Sequence, residues 1–131
     1  MNSVIDDIGQ HLANNGFGSL GAEIFLSFLP DSPDSCVALI ETSGTAPEYT
    51  HDRALPWKDN PSFKVIARDR HPQLAKKRAD AIWAFLASVN DLTLNGVRYF
   101  TVAPKHNPYS LGKDQNDRHE YHCDFQVERQ I

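Results

Sequence analysis

The feature that most limits how this chain can fold is an amphipathic stretch at residues 71–89, HPQLAKKRADAIWAFLASV. Its apolar residues recur three or four positions apart, as on one face of an α-helix. They are Leu74, Ala81, Ile82, Phe85, Leu86 and Val89. Pro72 suits a first helical turn, and Asn90-Asp91 ends the pattern. The stretch predicts a long helix whose apolar face must pack against a sheet.

Length and composition narrow the class of protein. A chain of 131 residues is one domain by its length, with 40% apolar and 23% charged residues. No apolar run approaches the roughly 20 residues that span a bilayer. The first ten residues carry two acids and no Lys or Arg, unlike a secretory signal, so we expect a cytosolic chain. The net charge of -4 argues against binding to nucleic acid and favours a protein partner.

Several segments have the pattern of strands. Residues 22–29, AEIFLSFL, form an almost continuous apolar run that predicts a central strand buried on both sides. After a turn rich in Pro and Asp, residues 36–42 are expected to pair with it in antiparallel fashion. Residues 61–69 and 119–130 alternate between apolar and polar positions, as strands with one buried face do.

A hairpin is predicted at residues 92–100, LTLNGVRYF. Asn95-Gly96 supplies the two positive φ angles that a type I′ turn requires. The sequence therefore predicts an α+β fold, a single domain over residues 1–131. It would consist of a mainly antiparallel sheet, one long amphipathic helix packed across it and a short N-terminal helix within residues 1–16, capped by Ser3.

Two stretches, residues 43–60 and 104–118, show neither helical nor strand periodicity and are expected to be long loops. The first contains residue types that anchor protein interfaces. These candidate interface residues are Tyr49, Arg53, Leu55 and Trp57. Alternatively, Leu55 and Trp57 fold back onto the edge of the core. We expect Cys36 and Cys123 to be buried thiols, because their spacing matches no disulfide or metal pattern.

The residues HEYHC at 119–123 invite comparison with a zinc site, but strand geometry argues against it. His119 and His122 would point to opposite faces, and His119 and Cys123 would lie roughly 13 Å apart. No catalytic, cofactor-binding or metal-binding residue is predicted. The alternative function is a cytosolic enzyme or small-molecule-binding domain with a pocket lined by His51, His106 and His119.

Five segments together resemble a known family. They are residues 24–34 (IFLSFLPDSPD), 41–44 (ETSG), 60–61 (NP) before a strand, 94–99 (LNGVRY) and 111–114 (LGKD) before the final strand. In this order and spacing the chain resembles the bacteriophage minor capsid family of tail terminator, or tail-completion, proteins that act at the head–tail junction.

The resemblance implies an α+β domain that assembles as a ring, usually a hexamer, on the head-proximal end of the tail tube. Such a ring ends tail growth and joins the tail to the head. The implied partners are other copies of the chain, the major tail tube protein and the head-completion or connector protein, with no membrane or specific nucleic acid. The implied location is the virion, and the host cytoplasm during assembly. The family implies no enzyme activity and no cofactor.

Overall fold

The computed structural model describes residues 2–49 and 56–131, and strands dominate it. Strands make up 49% of these residues and helices 22%. The helices are α1 (Val4–Asn14) and α2 (Pro72–Ala87). The strands are β1 (Ile24–Leu26), β2 (Cys36–Tyr49), β3 (Pro56–Asp69), β4 (Asn90–Leu94), β5 (Val97–Pro104), β6 (Tyr109–Lys113) and β7 (His119–Gln130).

The strands form one sheet in the order β1-β2-β3-β7-β5-β4, and β6 also pairs with β7. All pairs are antiparallel except β1 with β2. β3 and β7 pair from Asp69 and His119 to Lys58 and Gln130. On the other side of β7, β5 and β6 follow one another along the same edge. The sheet curls into a half-barrel, which gives its inner face a concave surface to fill.

The core fills that concave face. Phe63 of β3 and Phe125 of β7 stack with ring centroids 5.2 Å apart, and neither is exposed to solvent. Both helices contribute buried side chains to the same cluster, Ile8 from α1 and Leu86 from α2 among them. Burial of apolar surface by two helices against a curled sheet is therefore the main source of stability.

The short N-terminal helix is present where Ser3 predicts it. The Ser3 hydroxyl accepts a hydrogen bond from the backbone N–H of Asp6, as an N-cap does. The helix ends at Asn14, and Gly16 follows with a φ of 84°. The apolar residues that face the sheet are fully buried, so α1 is docked on it.

The predicted α+β class, with one long amphipathic helix packed across the sheet, is wrong. Strand content far exceeds helix content, both helices are short, and no long amphipathic helix packs across the half-barrel. In α2 the buried positions form a narrow stripe of Ala75, Ala79, Ile82 and Leu86. Leu74 and Ala81, assigned to the apolar face, are exposed. The periodic pattern overestimated the width of the apolar face of α2, because it assigned the exposed residues Leu74 and Ala81 to the core.

The first strand is also placed differently. The prediction of a central strand at 22–29, antiparallel to 36–42, is wrong, because β1 has three residues, lies at the edge and runs parallel to β2. Ser27 ends it with a φ of 76°, a conformation that interrupts a strand. Phe28, which the apolar run placed in the core, is 56% exposed.

The two stretches expected to be loops contain strands. Residues 43–49 continue β2 and residues 56–60 begin β3, while β6 occupies residues 109–113 of the second stretch. The hairpin prediction is confirmed, since Asn95 and Gly96 have φ angles of 50° and 79° between β4 and β5.

The apolar face predicted for β7 is confirmed at Cys123, Phe125 and Val127, but His122 on the opposite face is buried as well. Cys36 and Cys123 are both buried and free. Neither helix of the described residues is long and apolar enough to cross a membrane.

Substitution of two leucines on α2 would test how this helix contributes to the stability of the protein. Leu86 is fully buried and Leu74 is 51% exposed. We expect Leu86→Ala to lower the free energy of unfolding by about 2–5 kcal/mol, because it leaves a cavity in the core. Leu74→Ala should change it by less than about 0.5 kcal/mol. Urea unfolding measures both, and equal effects would contradict the docking of α2 described here.

Candidate assembly surface

We call one end of the sheet the arm: residues 44–49 of β2 and 56–60 of β3. Here β3 stays paired with β7 at Lys58 and Asp59, and β2 forms the outer edge. Regular pairing of β2 with β3 ends at Thr42 and Ser62, and the register then shifts between Thr42 and Thr45 and again before Glu48. Residues 41–48 are exposed throughout. Among the described residues, the arm therefore offers backbone and side chains that a partner could contact.

Gly44 and Asn60 fix the root of the arm. A Cβ built on Gly44 would overlap the backbone oxygen of Asn60, so only glycine permits this approach of the two strands. The Asn60 side chain is buried and donates to the backbone oxygen of Ala46 at 3.1 Å. Its backbone oxygen accepts a hydrogen bond from Gln126 Nε2 at 3.0 Å. Asn60 thus joins β2 to β7 where the arm begins.

Charged side chains also connect the arm to the sheet. Lys58 Nζ lies 2.6 Å from Glu48 Oε2 and 3.5 Å from Glu128 Oε2. The hydrogen bond from Lys58 lowers the pKa of Glu48, and the same bond raises the pKa of Lys58. Because both carboxylates are about half exposed, water screens these pairs, and they orient the arm more than they stabilise it.

An exposed aromatic patch lies on the arm, three residues beyond its root at Asn60. Trp57 is 43% exposed and meets Phe100 of β5 edge to face, with ring centroids 6.1 Å apart. Ile131, which is 51% exposed, donates its backbone N–H to the Trp57 oxygen at 3.1 Å. We call these three residues the Trp57 patch. Large apolar side chains held in place yet open to water are typical of binding surfaces.

The structure brings part of the predicted interface together. Tyr49 ends β2 opposite Pro56, and Trp57 follows in β3, so both belong to the arm. Arg53 and Leu55 lie outside the described residues. Sequence reasoning missed Phe100 and Ile131, which reach Trp57 only through folding. Gly44 could have been noticed, because a glycine inside a strand often marks a close backbone approach.

Two of the three histidines of the alternative function, His106 and His119, lie apart from one another. His106 Nε2 lies 2.9 Å from Asp124 Oδ2. The Asn107 backbone oxygen and the Asp124 carboxylate raise the pKa of His106 above its ordinary value. His119 begins β7, five residues or roughly 16 Å along the strand from Asp124. His51 lies outside the described residues. Within residues 2–49 and 56–131, no three His, Cys, Asp or Glu side chains form a group that could hold a metal ion.

Comparisons with known proteins establish the class. A family model described as bacteriophage tail terminator protein matches residues 11–131. The chain therefore belongs to the bacteriophage tail terminator protein family, which confirms the resemblance seen in the sequence. It is a structural protein of the virion, located in the tail or at the head–tail junction.

A solved structure supports the fold. One similar chain comes from the virion of a native gene transfer agent (GTA) particle, with a TM-score of 0.70 and 16% sequence identity. The match covers 98% of this chain and 96% of that one. Among curated proteins, no sequence matches. At 16% identity the structural similarity supports the fold alone, and the family match establishes the class of protein.

The contact between Gly44 and Asn60 yields a prediction. Gly44→Ala should force the strands apart and destabilise the protein by about 1–3 kcal/mol, because the new methyl group meets backbone atoms. Hydrogen exchange of the Ala46 and Glu48 amides should accelerate. The control is Ser43→Ala, which only removes an exposed hydroxyl. If both variants exchange like the wild type, the arm is not rooted at Gly44.

Proposed function

We propose that this protein forms a ring, a hexamer, on the head-proximal end of the tail tube. The ring stops tube growth and joins the tail to the head. Its partners are other copies of the chain, the major tail tube protein and the head-completion or connector protein. The chain acts as one tail terminator domain, by binding and not by catalysis, and it needs no cofactor, membrane or specific nucleic acid.

The observation that carries this proposal is the exposed arm with its Trp57 patch on a member of the tail terminator family. Exposed tryptophan costs free energy that burial in a partner would recover. Tyr, Trp and Arg are the residues that most often dominate binding energy at interfaces. We assign the candidate residues Tyr49, Arg53, Leu55 and Trp57 to this contact.

Ring assembly requires two different contact surfaces on each subunit. A closed ring uses head-to-tail interfaces, in which each subunit presents one surface to one neighbour and a different surface to the other. An arm with few apolar side chains buries little area in a contact, and association also costs translational and rotational freedom. The isolated chain should therefore assemble weakly, and the end of a tail tube should act as the template that brings copies together.

A capping assay tests the proposal. Tail tubes lacking their terminator are mixed with purified protein, and electron microscopy scores the fraction of tubes with a ring at one end. Trp57→Ala should lose capping, because an interface hot spot contributes at least about 2 kcal/mol, or roughly 30-fold in affinity. Its stability should fall by no more than about 1 kcal/mol, since Trp57 is partly exposed.

The control is Leu74→Ala, which removes a similarly exposed apolar side chain far from the arm and should cap normally. Deletion of residues 48–58 should abolish the ring while leaving the circular-dichroism spectrum nearly unchanged. Capping by the deletion variant would show that the interface lies elsewhere. If the intact protein caps no tube at all, the terminator role itself is wrong.

A further inference from the structure

A buried polar cluster connects the N-terminal helix to the root of the arm. Asp7 of α1 and Tyr99 of β5 have no solvent exposure, and Arg129 of β7 is 6% exposed. Buried charges are costly unless they are paired and hydrogen-bonded. A cluster of this kind under a short helix therefore requires an explanation beyond apolar packing.

The Asp7 carboxylate has partners on both oxygens. The Tyr99 hydroxyl donates to Oδ2, and Asn95 Nδ2 donates to Oδ1 at 2.7 Å. Burial and the bond to Asp7 raise the pKa of Tyr99, so its hydroxyl remains a neutral donor. The cation that pairs with Asp7 among the described residues is Arg129, with Nη1 3.9 Å from Oδ2. The charge of Asp7 is thus balanced from β7.

The same guanidinium holds the arm. Arg129 Nε and Nη2 lie 3.1 Å and 3.0 Å from Asp59 Oδ2, and Asp59 belongs to the arm beside Asn60. Arg129 Nη1 also donates to the Asn2 backbone oxygen at 3.1 Å and to the Tyr99 hydroxyl at 3.2 Å. One side chain therefore contacts the N-terminal segment with one nitrogen and the arm with the other two.

We propose that the N-terminal segment controls the arm through Arg129. Asn2 and Asp7 fix the guanidinium, and the fixed guanidinium holds Asp59, so undocking of α1 loosens the arm root that Gly44 and Asn60 also hold. Both of these N-terminal residues precede residue 11, where the family match begins. The biological meaning of this coupling rests on the assembly role proposed for the arm, but the coupling itself is a property of the isolated chain.

Hydrogen exchange of the isolated chain, measured by mass spectrometry, tests the coupling. Asp7→Asn keeps the shape of the side chain and removes its charge. Peptides covering residues 44–48 and 57–60 should exchange roughly 10–100-fold faster, the loss expected for one hydrogen-bonded charge. Peptides covering residues 63–67 of β3 should be unchanged. The matched control is Asp6→Asn, which neutralises the exposed neighbouring residue and should leave the arm as it is in the wild type.

A second substitution separates coupling from general destabilisation. In an Asp59→Asn background, the arm should already exchange fast, and Asp7→Asn should add no further acceleration. A uniform acceleration of arm and core, or additive effects of the two substitutions, would overturn the proposal. Tyr99→Phe, which keeps every charge, provides the same comparison if Asp7→Asn does not fold. No tail tubes enter this measurement, so failure of the coupling and failure of the capping role are distinguishable.

Discussion

The pairing of β3 with β7 is the interaction on which the rest of the structure depends. It runs through the centre of the sheet, and the stacked rings of Phe63 and Phe125 fill the concave face beneath it. β2 attaches on one side and β5 and β6 on the other. α2 packs on this central pair and on β5, and α1 packs on β1, β2 and β3.

The central pair also determines where the arm begins. Lys58 and Asp59 are the last β3 residues paired with β7, and beyond Thr42 the β2–β3 register becomes irregular. Asn60 and Arg129 join the arm to the rest of the sheet at this point: the Asn60 backbone oxygen accepts a hydrogen bond from Gln126, and Arg129 donates to Asp59. A rigid core and an exposed arm are thus parts of the same two long strands.

The sequence correctly predicted the parts of the fold that depend on neighbouring residues alone. The Asn95-Gly96 turn needs only its two positive φ angles, and β7 needs only alternation against one buried face. The β2 strand of the arm was missed because residues 44–48 are exposed on both faces, and the β3 strand because its buried positions, such as Asn60, are polar, so no apolar alternation marks either strand. The apolar face of α2 was predicted too wide, because the sequence pattern does not distinguish a buried alanine such as Ala79 from an exposed one such as Ala81. The parallel β1 depends on the turn at Ser27, which the apolar run conceals.

Only part of the candidate site could be identified from the sequence. Trp57 was identified from its residue type, whereas Phe100 and Ile131 become its neighbours only when β5 and the end of the chain fold beside it. The central claim is that Trp57 is exposed in the free protein and covered in the assembled tail.

Hydroxyl-radical footprinting of free protein and of intact virions tests this directly, with the partly buried Trp83 as the internal reference. The account predicts that Trp57 oxidation falls several-fold on assembly relative to Trp83. Equal oxidation of Trp57 in both states would contradict it.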